Sequence, residues 1–251
     1  MEIINKTYES YFKGKEFSNA LRVNYNLVDN KLFQSRVDYI LKIVKSKKVI
    51  HLGCVDHIPL VEEKHKMGLL LHDDLVKNTS RCLGIDINEE GIKFFKEQLG
   101  YHDVISMNIT EDPPNPVILS ETWDYLIMGE LLEHIDNPVN FLEKIKNKYS
   151  QNIKNYIITV PNAFKINNIK NIFKNIEEIN TDHRYWFTPY TISKILISAG
   201  YSIDEMCLVM LNSPSIRGPI HRFFLKRFPL FRDGIAICGS FLSQILKTKT
   251  L

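Results

Sequence analysis

The 251-residue sequence has only four cysteines, Cys54, Cys82, Cys207 and Cys238, scattered and without a C-x-x-C pair. That spacing excludes a disulfide framework and a cysteine-built zinc site, and it fits a reducing compartment. No apolar run approaches the ~18 residues of a membrane span, and the opening residues lack the apolar core of a signal peptide. The expected location is therefore the cytoplasm. Charge of one sign is scarce as well: 32 Lys and Arg against 29 Asp and Glu leave +3, too little to argue for a nucleic-acid partner by itself. There is no internal repeat and no low-complexity segment. What is present is an apolar fraction of 44% and a charged fraction of 24%, the composition of a globular chain long enough for one sizeable α/β domain.

Short apolar strands alternate with amphipathic helical stretches, the pattern of a doubly wound, mostly parallel sheet. Strands are expected at 48–52, 81–87, 104–107, 125–128 and 156–160, then at 202–211 and 234–241. Helices are expected at 30–46, 89–99, 137–149 and 189–199, the last closed by Gly200 as a C′ glycine. The organisation expected is a single domain over 1–251. Residues 1–47 form an N-terminal helical cap, 48–251 the core, and 212–233 a basic insertion between the last two strands.

Residues 123–138 carry the most chemistry. An apolar strand ends at Gly129, and Glu130, Glu133 and His134 follow at once. On a helical turn these positions share one face, just past a strand's carboxyl end, where open α/β sheets bind ligands. The stretch 49–57 is a strand entering a turn with one glycine, Gly53. The stretch 82–88 is a buried strand tipped by Asp86, whose carboxylate can accept both hydroxyls of a ribose. Gly53 and Asp86 stand 33 positions apart, against about 20 in the dinucleotide fingerprint, so residues 57–80 hold an insertion. That insertion reads as a solvated helix–loop, with lining of the site as its other reading.

Together these segments resemble the motifs of class I S-adenosylmethionine-dependent methyltransferases, a family with a seven-stranded Rossmann-like sheet whose last strand runs antiparallel. The resemblance implies S-adenosyl-L-methionine as cofactor, bound by His51, Gly53, Cys54, Asp86, Ile87, Asn108 and Met128. Two departures stand out. Val55 and His57 occupy places where the family usually has further glycines, and His51 stands where it usually has an acid. Asn108 falls where the family often sets an acid against the adenine amino group, a bond its amide oxygen can accept.

A subset of the family, including small-RNA terminal 2′-O-methyltransferases and ubiquinone-pathway O-methyltransferases, binds a divalent metal through Glu-x-x-Glu-His, with a later His in the former. Glu130, Glu133, His134 and His183 match that set, which implies Mn, Co, Fe or Mg. In the metal-free alternative, Glu133 and His134 merely cap the loop and His134 serves as base. Glu133, His134 and His183 are the catalytic candidates. Asn162, in a Pro-Asn pair after the fifth strand, Arg184, Tyr185, Lys226 and Arg227 are the substrate candidates.

Tyr190 and Lys194 mimic the Tyr-x-x-x-Lys of short-chain dehydrogenases, but those need a glycine-rich turn near the N-terminus. The region 48–241 further resembles methyltransferases of bacterial capsule and lipopolysaccharide clusters. This implies O-methylation of a sugar or sugar-linked group, nucleotide-linked or lipid-linked. Residues 217–232 carry Arg217, Arg222, Lys226, Arg227 and Arg232 among aromatics and no acid, a stretch suited to a pyrophosphate or an anionic membrane surface. The alternatives are an RNA-terminal 2′-O-methyltransferase, against which the low net charge counts, and a non-catalytic interaction protein, against which the convergent acids count.

Overall fold

The computed structural model describes residues 8–25, 34–213 and 218–242. Arg217 lies outside them. Seven strands form one sheet in the order β3-β2-β1-β4-β5-β7-β6: β1 Lys48–Leu52, β2 Arg81–Asp86, β3 Val104–Ser106, β4 Trp123–Gly129, β5 Ile153–Pro161, β6 Glu205–Val209 and β7 Gly234–Ser240. The first five pair in parallel and β7 runs antiparallel to both neighbours. The sixth strand is therefore shorter than the expected 202–211. The others fall within one or two residues of expectation, except that β5 begins three residues earlier.

Strand alternation sends side chains to opposite faces, and both faces are covered. Ile50, Leu52, Leu126, Met128, Tyr156 and Ile158 belong to the larger core on one face. Val49, Ile127 and Ile157 meet Tyr39, Ile40, Leu71 and Leu75 on the other. Fully buried strands of this kind read as near-continuous apolar runs, which is why they were legible.

The cap helix α1 spans Arg36–Val44; of the expected 30–46, residues 30–33 lie outside the described residues. Ser35 and Asp38 form a reciprocal capping box at its start, which satisfies backbone donors that the first turn leaves orphaned. Arg36 N and Met210 N bond across to Met210 O and Gln34 O, so the start of α1 is fastened to the carboxyl end of β6. Residues 57–80 fold into α2 (Ile58–Lys66) and α3 (Leu71–Asn78). The solvated reading of this insertion is corrected: Leu71, His72, Asp73 and Leu75 of α3 are buried. The helices α4 (Glu89–Glu97), α5 (Pro116–Leu119), α6 (Pro138–Tyr149), α7 (Ile166–Ile172), α8 (Pro189–Ser198) and α9 (Pro219–Arg227) complete the chain. All four thiols are free; Cys54 and Cys82 are buried, Cys207 and Cys238 partly so.

The turn after β1 shows how the missing glycines are absorbed. Gly53 has φ +71, and a Cβ there would lie 3.0 Å from Leu131 Cδ1, so this glycine is required. Val55 is tolerated because glycine has moved elsewhere. A Cβ on Gly91, in the first turn of α4, would come within 2.2 Å of Val55 Cγ1. Gly91→Ala gains up to about 1 kcal/mol of helix propensity but overpacks Val55, at a cost of about 1–3 kcal/mol. We expect net destabilisation in urea unfolding, and a neutral or stabilising effect of the same change in a Val55→Gly background.

Candidate active site

The carboxyl ends of β1, β2 and β4 open into a cleft of about 1300 Å³, lined among others by Gly53, Asp86, Glu133, His134 and His183. At one end Asp86 is held by two backbone donors: Val55 N reaches Oδ2 and Asn88 N reaches Oδ1, both at 2.9 Å. Burial raises its pKa, and these N–H bonds oppose the rise. Each carboxylate oxygen has more than one lone pair, so the pair can still accept hydroxyl donors from a bound ligand. Ile87 is exposed at the rim of the same cleft.

His51 is buried and takes part in an unexpected pair. Its Nδ1 lies 3.2 Å from His72 Nδ1 of α3, with the rings stacked at 5.4 Å. Burial holds His51 well below its ordinary pKa, helped by His72 and Arg36, and burial lowers His72 to about 4. Both rings are therefore neutral near pH 7, one donating to the other. Gly84 makes the room: a Cβ there would lie 2.9 Å from His72 Cε1.

The second end of the cleft forms from β4. Glu130 does not start a helical turn with Glu133 and His134, as the spacing implies. It has φ +56, and Leu132–His134 is a single 3-10 turn. In consequence Glu133, His134 and His183 bring ligating atoms within 4.8 Å of one another, whereas Glu130 is not part of that group. The structure thus brings together three of the four expected ligands. Glu133 is fully buried, and neither carboxylate oxygen has a hydrogen-bond partner; His183 Nδ1 is likewise buried and without one. Burial, then Glu130, pushes the Glu133 carboxyl up to about 9. Burial and the neighbouring His134 lower His183, whose ring meets that of His134 edge-on at 4.7 Å.

An uncompensated buried carboxyl is costly. A cation between one carboxylate and two imidazoles removes that cost, so the residues present fit a divalent metal of the type that accepts mixed nitrogen and oxygen ligands.

His183 reaches this position because its loop is pinned to the one carrying Glu133. Arg184 N bonds Glu133 O at 2.7 Å, and Arg184 Nε bonds His134 O and pairs with Asp136. Tyr185 OH donates to Asp136 O. Arg184 and Tyr185, expected as substrate contacts, therefore fasten this loop, and neither lines the cleft. Across the mouth, His57 Nε2 and Asp182 Oδ2 meet at 3.0 Å.

Other expectations are corrected on similar grounds. Asn162 is fully buried, its amide donating to Leu230 O and Arg232 O and accepting from Phe164 N, so it latches loops together, and it does not line the cleft. Asn108 lines the cleft, but its amide oxygen already accepts from Thr110 N, Thr110 Oγ1 and Glu111 N and is not open for an adenine amino group. The Cys54 side chain packs in a core cluster beneath the cleft, which leaves only its backbone for a ligand. Met128 points into the main core, fully buried. Lys226 and Arg227 sit on α9, away from the lining.

Arg36 went unrecognised in the sequence. The fastening of α1 to β6 brings its Nη1 to 3.3 Å from where a Gly129 Cβ would stand and to 3.8 Å from Glu130 Oε1. No local motif surrounds it in the sequence, so only the fold could reveal it.

No protein-family model matches the sequence, and no curated protein is similar to it in sequence. Solved structures are similar in fold. One is small RNA methyltransferase HEN1, with a TM-score of 0.55 and 18% identity over 91% of this chain and 27% of that one; this chain thus spans about a quarter of the HEN1 length. Another is the methyltransferase domain of bacterial CtHen1-CN, at 0.52 and 19% over 82% and 95%. A third is an S-adenosylmethionine-dependent methyltransferase from Clostridium acetobutylicum, at 0.52 and 10% over 96% and 99%. Strand order, the antiparallel β7 and these likenesses agree: the chain has the class I S-adenosylmethionine-dependent methyltransferase fold.

Proposed function

We propose that the protein is an S-adenosylmethionine-dependent O-methyltransferase whose acceptor is a sugar or sugar-linked hydroxyl. The observation that carries this reading is one cleft with two unlike ends: Asp86 and the Gly53 turn at one, Glu133, His134 and His183 at the other. The first end suits a nucleoside, with Asp86 taking the ribose hydroxyls. Between the ends lie Arg36 and Glu130, 3.8 Å apart. An anion and a cation at that separation suit a zwitterion, Arg36 facing the carboxylate of the cofactor's amino-acid end and Glu130 its ammonium.

Methyl transfer from a sulfonium is an in-line displacement, so positioning supplies much of the rate. The acceptor hydroxyl must also lose a proton. Glu133, His134 and His183 would hold a divalent cation, which supplies Lewis acidity that lowers a hydroxyl pKa. Without a cation, His134, less buried than Glu133, is the group that would take the proton.

The lining disfavours a polyanionic acceptor. It holds nine Asp or Glu side chains and three Lys or Arg, and each of the three bases faces an acid: Arg36 with Glu130, Lys64 with Asp56, Lys144 with Glu111. An RNA strand would meet a field of its own sign, which favours a sugar acceptor over RNA.

Transfer of labelled methyl from S-adenosylmethionine to nucleotide sugars, surface glycans and 3′-terminal RNA oligonucleotides tests the acceptor. Label on the sugars alone is the expected result, and label confined to RNA would replace this reading. Asp86→Ala should cut S-adenosylmethionine affinity by at least about tenfold in calorimetry, since bonds to a charged group are worth about 1.5–3 kcal/mol each, with the circular dichroism spectrum preserved. Unchanged affinity would overturn the ribose assignment.

Metal binding should be pH-dependent with a definite sign. Glu133, pushed up to about 9, carries a proton at neutral pH and gives it up when a cation binds. Mn²⁺ affinity should therefore rise about tenfold per pH unit between about pH 7, above the ordinary imidazole range, and pH 9. Glu133→Gln should flatten that slope and weaken binding, and exhaustive chelation should lower turnover. Full activity with no metal detected in the protein would leave His134 as a metal-free base.

A further inference from the structure

Each end of the cleft carries a loop, and the two loops meet. The first is the turn after β1, where Val55 N bonds the Asp86 carboxylate at 2.9 Å. Two residues on, the chain enters α2 at His57, whose side chain makes no capping bond to the helix. The second is the segment that leads into His183. Its downstream side is fixed, because Arg184 and Tyr185 bond the backbone of Glu133, His134 and Asp136. Its upstream side is not. Residues 173–182 hold no helix or strand and are all exposed, and Asp182 N and His183 N bond only to Asn180, within the same loop.

The contact between the loops is His57 Nε2 to Asp182 Oδ2, at 3.0 Å. Among the described residues it is the only hydrogen bond or ion pair that joins residues 53–80 to residues 162–188. Both partners line the cleft. The pair therefore connects the turn that holds Asp86 with the residue just before His183. A nucleoside seated on Asp86 packs against that turn and restricts it. A cation held by His183 restricts the other loop. Because the pair joins the loops, ordering one lowers the cost of ordering its partner, which makes the two binding events cooperative.

We propose that His57 and Asp182 couple the two ends of the cleft, so that S-adenosylmethionine or its demethylated product at Asp86 strengthens the binding of a divalent cation at Glu133, His134 and His183. The cation strengthens cofactor binding by the same factor, as linkage requires. His57 and Asp182 are positioning residues, acting through the Val55 turn and through His183. The inference rests on the reading of the cleft as a cofactor and metal site. Both side chains are exposed, and an exposed pair is worth at most about fivefold in an equilibrium constant. The coupling is therefore about twofold to fivefold.

Calorimetry on the full chain measures the Mn²⁺ dissociation constant with and without saturating S-adenosylhomocysteine. The expected ratio is about two to five. His57→Ala and Asp182→Ala should each bring it to one, and the double variant should lose no more than either alone, as a shared interaction requires. His57→Gln keeps a side-chain donor and should retain the coupling. Asp182→Ala also removes a charge near the cation, so the ratio and not the affinity is the readout. Thermal unfolding should stay unchanged, since neither side chain is buried. Independent binding of the two ligands to the native protein, or a ratio that survives both alanine variants, would overturn the proposal and leave the cofactor and metal assignments standing. A native protein that fails to bind either ligand would overturn that assignment and the coupling with it.

Discussion

A carboxyl group sealed from water with nothing to bond is the constraint around which the catalytic end is arranged. Glu133 is fully buried and both its oxygens lack partners, so it must hold a proton or a cation. The chain spends several interactions to keep it there. Glu130 turns through a positive φ and bonds Thr159 O through its backbone. Arg184 and Tyr185 tie the loop of His183 to the backbone of Glu133, His134 and Asp136. These bonds place two imidazoles against an acid that gains nothing from the fold itself, an arrangement typical of functional sites.

The cofactor end follows a different logic, the relocation of space. The turn after β1 keeps one glycine, at the position whose φ demands it, and sets Val55 two residues further on. The missing volume reappears at Gly91, while Gly84 opens the sheet to His72. The His51–His72 pair puts a neutral polar contact near the end of β1. Close packing explains the exchange: a side chain added at one surface needs one removed from the facing surface.

The strands and the two ends of the cleft were legible because each rests on a local pattern: apolar runs for the buried strands, an acid at a strand tip for Asp86, and adjacent acid and imidazole for Glu133 and His134. Pairing between distant loops was not legible. Asn108 and Asn162 occupy suggestive places, yet their amides are consumed by nearby or distant backbone. Arg184 and Tyr185 follow His183 in the sequence, and their bonds fasten its loop, which no local pattern announces. Glu130 was misplaced because three residues of 3-10 turn, preceded by a positive φ, replace the regular helix that the i, i+3, i+4 spacing presumes. Arg36 lies more than ninety residues from its neighbours at Gly129 and Glu130, and nothing around it in the sequence marks it.

The four free thiols have a use of a different kind. Burial raises Cys54 well above the ordinary thiol range and moves Cys82, Cys207 and Cys238 up to about 12, so almost no thiolate exists at neutral pH to react with an alkylating reagent. Slow alkylation of the native protein is the expected result at all four positions. Cys54 and Cys82 sit by the cofactor turn and on β2, Cys207 and Cys238 on the antiparallel pair β6 and β7. Labelling rates at the two pairs thus act as separate clocks for the opening of the two halves of the sheet, and they report whether occupation of the cleft slows one half alone or the whole molecule.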